Sequence, residues 1–271
     1  MMRTIAVLIT CFNRKEKTLA CLRSLAKQEL PENHRLKVYL VDDGCTDGTG
    51  DAVKAQYPET RVIQGTGSLY WAGGMRLAWS EAAKEDPDYF LLFNDDTEVV
   101  SHAVSTLILT SQMQDDRSIA VAAIAKPGST QLNYGAYITG QEGVITCSEI
   151  QTKCDTFNGN CVLIPRAVTK IVGLLDPAYT HAMADSDYGL RARSQGVRIV
   201  QPAGILGWCE LNPKAKTWLD PSLPRIKRLI LSQQPTALPW RDWLHYCRKH
   251  HPFPLWVRHF LSPYIKALLG K

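Results

Sequence analysis

The run Tyr89-Phe90-Leu91-Leu92-Phe93 stops abruptly at Asn94-Asp95-Asp96-Thr97. An apolar, aromatic-rich run of this length predicts a buried strand, and the two carboxylates at its end have no basic neighbour in sequence to neutralise them. Strand and helix signals alternate on both sides of it. Residues 5–9 read as a strand, 15–28 as a helix with Leu19, Leu22 and Leu25 at helical spacing, and 37–41 as a second strand. A helix through Ala52, Val53 and Gln56, a short strand at 61–63 and a helix over 72–84 lead to the central run, which a helix over 101–114 and a strand at 119–124 follow. This alternation predicts an α/β fold with a largely parallel sheet. The rhythm lapses over 126–160, rich in Gly, Thr, Ser and Gln, where a meander or loop region is expected. It resumes with a strand at 161–164, a helix over 185–195 stopped by Gly196, and a strand at 197–200.

Three strand ends carry polar clusters: Thr10-Cys11-Phe12-Asn13-Arg14, Asp42-Asp43-Gly44 and Asn94-Asp95-Asp96. In an open α/β sheet, ligands bind beyond the carboxyl ends of the strands, so clusters distant in sequence are expected to converge in one crevice. Each cluster alone also reads as an ordinary turn or helix cap. Five carboxylates, Asp47 included, would repel one another there unless a cation joined them. A metal-bound nucleotide diphosphate supplies that cation, with Mg²⁺ or Mn²⁺ shared between carboxylates and phosphate, while the outer carboxylates accept hydrogen bonds from ribose and base. The stretch Gly65-Thr66-Gly67-Ser68-Leu69-Tyr70 fails as a dinucleotide fingerprint, because Tyr70 replaces its third glycine. Next to it, Trp71 borders the expected pocket. Gly73 and Gly74 permit close backbone approach at a helix start, where N–H groups and Arg76 are expected to meet phosphate. Asp185 stands at a helix N-cap and Asp187 in its first turn, positions that favour carboxylates without any catalytic task. A carboxylate at a cleft mouth also accepts a proton from a hydroxyl nucleophile.

The ordered set, completed by Asn158-Gly159-Asn160-Cys161 and Asp185-Ser186-Asp187-Tyr188, resembles the family 2 inverting glycosyltransferases of the GT-A fold. Within them it is most similar to the non-processive, rhamnosyltransferase-like members that build bacterial surface polysaccharides. The resemblance spans about residues 4–210. It implies that Asp42 and Asp43 contact base and ribose with Thr10, Phe12 and Arg14 nearby, that Asn94-Asp95-Asp96 takes the place of the DxD motif with Asp96 on the metal, and that Asp185 is the general base. Asn94 leaves one contact of that motif neutral. Ala184 stands where many relatives carry an acid, and the segment 204–212 lacks the later histidine that many use as a metal ligand. His181 is the histidine expected near the site, as an acceptor or sugar contact; Asp187 is either a weaker contact of that kind or, with Arg191, an anchor for its helix. The processive Gln-x-x-Arg-Trp signature is absent, which favours single-sugar addition. The donor expected is a dTDP- or UDP-sugar, and the acceptor a saccharide or lipid-linked hydroxyl.

The net charge of +5 conceals an asymmetry: residues 1–211 carry 20 basic against 24 acidic side chains, whereas 212–271 carry 11 against 2. The first stretch is expected to be the catalytic domain and the second a helical extension. In that extension Trp240, Trp243, Leu244 and Cys247, then Leu255, Trp256, Phe260, Tyr264 and Leu268, form interrupted apolar faces with Arg241, Arg248, Lys249, Arg258 and Lys266 between them. Such a pair of helices either packs on the catalytic domain or a second subunit, or rests on an anionic bilayer. An acidic crevice argues against nucleic acid. The eight dispersed cysteines lack zinc spacing and read as reduced thiols of a cytoplasmic protein. Two other functions share these features: a sugar nucleotidyltransferase, which calls for a Gly-rich basic loop that residues 10–17 lack, and an inactive nucleotide-sugar binding module, which has no need to retain Asp96 and Asp185.

Overall fold

The computed structural model describes residues 2–141, 143–145 and 151–269. The first half alternates β1 (Arg3–Cys11), α1 (Lys15–Ala26), β2 (His34–Asp42), α2 (Thr49–Gln56), β3 (Arg61–Gln64), α3 (Tyr70–Ala83) and β4 (Tyr89–Phe93). There follow β5 (Glu98–Val99), α4 (Ala103–Gln112), β6 (Ser118–Val121), β7 (Ile124–Ala125), β8 (Leu132–Tyr134), β9 (Ala136–Tyr137), β10 (Thr152–Cys154), β11 (Thr156–Phe157) and β12 (Cys161–Pro165). The chain continues through α5 (Arg166–Val172), α6 (Ala184–Ser194), β13 (Arg198–Gln201), β14 (Gly207–Trp208), α7 (Arg225–Ser232), α8 (Trp240–His250) and α9 (Leu255–Leu269).

Eight strands form the main sheet in the order β10-β13-β6-β12-β4-β1-β2-β3. All five residues of β4 are buried, as expected of a strand covered on both faces. The period of two divides the core. Ala6, Leu8 and Leu92 face α3 and its buried Trp79 on one side of the sheet, while Ile5, Val7, Ile9, Leu91 and Phe93 face α1 and α4 on the other. Burying each of these large side chains contributes roughly 1.5–3 kcal/mol, which outweighs any local preference of the run for helix.

The sheet is mostly parallel, as the alternation predicts, with two reversals that it does not: the marginal β10, antiparallel to β13, and the central β12. β12 runs antiparallel to both β4 and β6, with Cys161 opposite Phe93 and Val162 opposite Val121. Its first residues therefore lie at the edge where β4 ends, and Asn94 N–H donates to the Asn160 carbonyl (3.0 Å). The expected strand at 119–124 is divided into β6 and β7, and β7 joins a second sheet ordered β5-β14-β7-β8. The 126–160 region is a meander of short pairings, of which β9 with β11 is one; its residues 142 and 146–150, Cys147 among them, lie outside the described residues. The cysteines among the described residues are all free thiols.

The C-terminal helices pack on the body of the fold. Asp242 accepts the Thr180 N–H (2.9 Å), and Lys249 reaches both Asp176 (2.6 Å) and Asp187 (2.8 Å). Periodicity anticipates the inward turn of Cys247 but not that of Lys249, since a lysine on an amphipathic helix ordinarily faces water.

Candidate active site

The carboxyl ends of β1, β2 and β4 meet the start of α3 and the loop before α6 around a cavity of about 350 Å³. Thr10, Phe12, Arg14, Asp43, Trp71, Asp95 and His181 line it, as expected from the sequence, joined by Gly67, Tyr70 and Thr236. Thr236 comes from the loop between α7 and α8, and no strand-end motif could have revealed it. Tyr70 sits beside a residue the sequence does single out, on a backbone with φ of +53°.

The acid pair is not bare. Arg14, distant in sequence, donates from Nη1 to Asp96 (2.8 Å) and stands 3.4 Å from Asp95, with Lys17 4.0 Å from Asp96. The premise that these carboxylates lack a cation of the protein's own is thereby corrected. The two differ in environment. Asp95 lines the cavity, is almost wholly buried, and has one oxygen, Oδ2, with no partner. Burial pushes its carboxyl up to about 7, against the pull of Arg14. Asp96 faces a neighbouring cleft with Lys17, Glu98 and Cys209, and the Cys209 thiol donates to its Oδ1 (3.4 Å). Cys209 therefore occupies the region that lacks a histidine in this chain.

Two adjacent carboxylates, one with an orphaned buried oxygen, fit a hard divalent ion that completes its shell with water and substrate phosphate. Among the described residues no group of three or more His, Cys, Asp or Glu side chains forms a cage independent of substrate.

The other acids are satisfied by backbone amides. Asp43 accepts from Gly67 (2.8 Å), Leu69 (2.8 Å) and Tyr70 (3.1 Å) and so fixes the turn into α3. Asp42 accepts from Cys45 (2.7 Å), and its other oxygen lies against Gly50 of α2, so it does not line the cavity. Asp47 caps α2 through Thr49. Mutual repulsion among five carboxylates is thus relieved largely by N–H donors.

Two further expectations are corrected, and the choice offered for Asp187 is decided. Gly73 N–H is spent on the Leu69 carbonyl (3.1 Å); it is Gly74 whose missing side chain lets α3 lie against Thr10. Arg76 turns away and donates to the carbonyls of Asp176 (3.1 Å) and Tyr179 (2.8 Å). Asp187 is fully buried and bonded to Arg191, Tyr179, Lys249 and His250, which makes it an anchor and not a surface for sugar.

Asn94 holds Trp71 in place by accepting its Nε1–H (2.7 Å). The indole in turn lies over Gly159, where any side chain would strike the ring. Gly159 N–H donates to Asp185 Oδ2 (2.8 Å), and Ser186 N–H to Oδ1 (2.8 Å). Burial raises the Asp185 carboxyl above the ordinary carboxylate range, and these N–H groups offset only part of the rise. Beyond Asp185 opens a larger cleft of about 790 Å³, bounded by residues 137–141, Asn158, Ser186, Leu190 and α8. Asp185 itself lines neither cavity: Ser186 beside it borders the larger one, and Gly159, which donates to it, lies against the Trp71 ring that walls the smaller one.

His181 accepts the Trp71 N–H on Nδ1 (3.3 Å). Burial, reinforced by Arg14, pushes it down to about 4, so the ring is neutral at physiological pH. A folded value below the ordinary 6.5 means that the unfolded chain takes up a proton first as pH falls. Stability should therefore decline as pH falls from about 6.5 to about 4, by about 2 kcal/mol after allowing for partial exposure. His181→Asn, which keeps an acceptor without titrating, should flatten that limb in melting curves recorded at pH 7 and pH 4.5.

The family description "Glycosyltransferase like family 2" matches residues 3–218. No protein of curated function matches the chain. Among solved structures, a mannosyltransferase from Pyrobaculum calidifontis in complex with GDP-Man and Mn²⁺ superposes with TM-score 0.63 at 15% identity, covering 100% of this chain and 73% of that one. TarS of S. aureus gives TM-score 0.59 at 14% identity over 98% of this chain, but this spans only 43% of TarS. Its fragment 1–349 with UDP-GlcNAc gives 0.58 at 15%, covering 98% and 82% of the two chains. At these identities the structures speak for the GT-A fold, and the family match extends from β1 past β14: this chain belongs to the family 2-like glycosyltransferases.

Proposed function

We propose that the protein moves one sugar, with inversion, from a nucleotide-diphosphate sugar to a hydroxyl of a saccharide or lipid-linked acceptor. A dTDP- or UDP-sugar used in bacterial surface polysaccharide synthesis, as in the rhamnosyltransferase-like subgroup, is the donor we favour. The observation that carries this reading is the pair of neighbours that hold Asp185: Ser186, which borders the larger cleft, and Gly159, which lies against the Trp71 wall of the smaller cavity. The donor belongs in the first, where the exposed rings of Phe12 and Tyr70 offer stacking surfaces for a base and Arg14 offers charge to the diphosphate. The GDP-Man and UDP-GlcNAc held by the structural relatives support that class of ligand. The acceptor belongs in the second, among the hydroxyl and amide groups of Thr139, Gln141, Asn158 and Ser186.

Asp185 takes the proton as the acceptor oxygen bonds to the anomeric carbon and the bond to the diphosphate breaks. Gly159 N–H and Ser186 N–H keep the carboxylate oriented for that attack. Trp71, tied to Asn94, closes the space between the two substrates and excludes water. Asp95 and Asp96 are the residues that would hold Mg²⁺ or Mn²⁺, which when bound offsets charge on the departing diphosphate.

A melting-temperature screen of UDP, dTDP and GDP, with and without Mn²⁺, tests the donor site. One nucleotide at 100 times its Kd should stabilise the native state by about 2.7 kcal/mol, in a metal-dependent manner that Asp96→Ala removes. If no nucleotide shifts the transition, the reading fails.

A further inference from the structure

Among the described residues, the fold leaves only cations as charged groups on the outer surface of the C-terminal segment, although Arg228 and Lys249 also turn inward. Its two acids turn inward: Asp242 holds the Thr180 N–H, and Asp220 accepts from Lys216 and Ser222 backbone amides, both being buried. Arg225, Lys227, Arg241, Arg248, Arg258 and Lys266 are exposed. Among the described residues, the outer surface of this segment therefore presents basic groups and no carboxylate.

Its apolar groups are sorted as well. On α9, Leu261, Ile265 and Leu268 are exposed and recur one or two turns apart, with Arg258 a turn before them. α7 packs against α9 and exposes Ile226 (72%) and Ile230 (66%) on successive turns, while Phe253 in the loop before α9 is 77% exposed. Single exposed aliphatics are ordinary, but their concentration on two packed helices rimmed by cations is not. No described helix is long and apolar enough to cross a membrane.

We propose that this face of α7 and α9 seats the protein peripherally on an anionic bilayer. Aliphatic side chains enter the acyl boundary while Arg and Lys meet lipid phosphates, the pattern of an interfacial helix. Charge complementarity selects this occupant. A second copy would bring one strongly basic segment against another, and nucleic acid offers nothing for five exposed aliphatic side chains to bury into. The loop that follows α7 supplies Thr236 to the donor cavity, so the seated face and the catalytic crevice share one short connection. Seating does not depend on the transfer reaction; only its use, presenting a lipid-linked hydroxyl to Asp185, rests on the function proposed above.

The test is sedimentation of the full chain with vesicles of phosphatidylcholine alone or mixed with phosphatidylglycerol. We expect pelleting with the mixed vesicles only, reversed by salt. Arg258→Gln with Lys266→Gln should weaken partitioning roughly 30-fold, at about a fivefold loss for each basic group near the surface. Leu261→Glu with Ile265→Glu should abolish it. Both variants alter exposed side chains and should melt like the parent, which separates lost seating from lost folding. Absence of pelleting, or equal pelleting with neutral vesicles, overturns the proposal. So does a dimer in light scattering that Leu261→Glu with Ile265→Glu converts to monomer without any vesicle binding, since a second copy would then cover the face.

Discussion

Asp185→Asn should reduce sugar transfer by on the order of 10²–10⁴-fold, the usual worth of a positioned general base, while nucleotide binding stays near that of the parent. Asn keeps one oxygen for one of the two amides that Gly159 and Ser186 direct at separate carboxylate oxygens, leaves the other N–H without its acceptor, and cannot take the acceptor proton. The raised carboxyl of Asp185 also fixes the sign of the pH dependence. The ionised form is the base, so the rate should fall as pH drops through that raised value, and the variant's residual rate should lack this acid limb. Single-turnover rates, with donor affinity measured alongside, check both statements. A variant that loses donor binding and transfer together would instead mark Asp185 as part of the donor pocket.

Asp187→Ala should have the largest effect on stability. The side chain is fully buried and is shared by Arg191 on its own helix and by Lys249 and His250 of α8. Removing one partner of a buried ionic cluster leaves uncompensated charge and typically costs about 3–5 kcal/mol, which for a chain of this size lowers the melting temperature by roughly 10 °C. Burial alone would raise this carboxyl; the hydrogen bonds from His250, Lys249 and Arg191 outweigh it and hold the carboxyl near 2. Its contribution is therefore present above the ordinary carboxylate range and is lost as pH falls through about 2. The gap between parent and variant should narrow in acid. Limited proteolysis supplies a second readout, because the same substitution loosens α8 and should expose the C-terminal segment to cleavage before the sheet.

The α/β alternation, the buried β4 and the convergence of Thr10, Asp43, Asp95 and Trp71 were legible because strand periodicity and strand-end chemistry are local properties. Three features were not. The reversal of β12 depends on pairing with β4 and β6, and an apolar strand reads alike in either direction. Arg14 on Asp95 and Asp96 is a long-range ion pair, so a search for sequence neighbours of the acids could not find it. Arg76 was misread because a cation at a helix start suits an anion in general, while here the carbonyls of Asp176 and Tyr179 claim it. Asp187 offered both readings at once, and only its burial beside Lys249 decides for the anchor.

The reversed β12 has a consequence for how such a protein can diversify. Because Val162 lies opposite Val121 and Cys161 opposite Phe93, the chain between β6 and β12 leaves the middle of the sheet and returns to it at the same end, touching the sheet meanwhile only through β10 at its far margin. A detour anchored this way can lengthen, shorten or change its residues without shifting the register of β1, β2 and β4, which position the cavity walled by Trp71 and Asp95. Under the function proposed above, evolution can thus exchange the acceptor while inheriting the donor site intact, and the same stretch is the natural place to insert randomised sequence when a new acceptor is wanted.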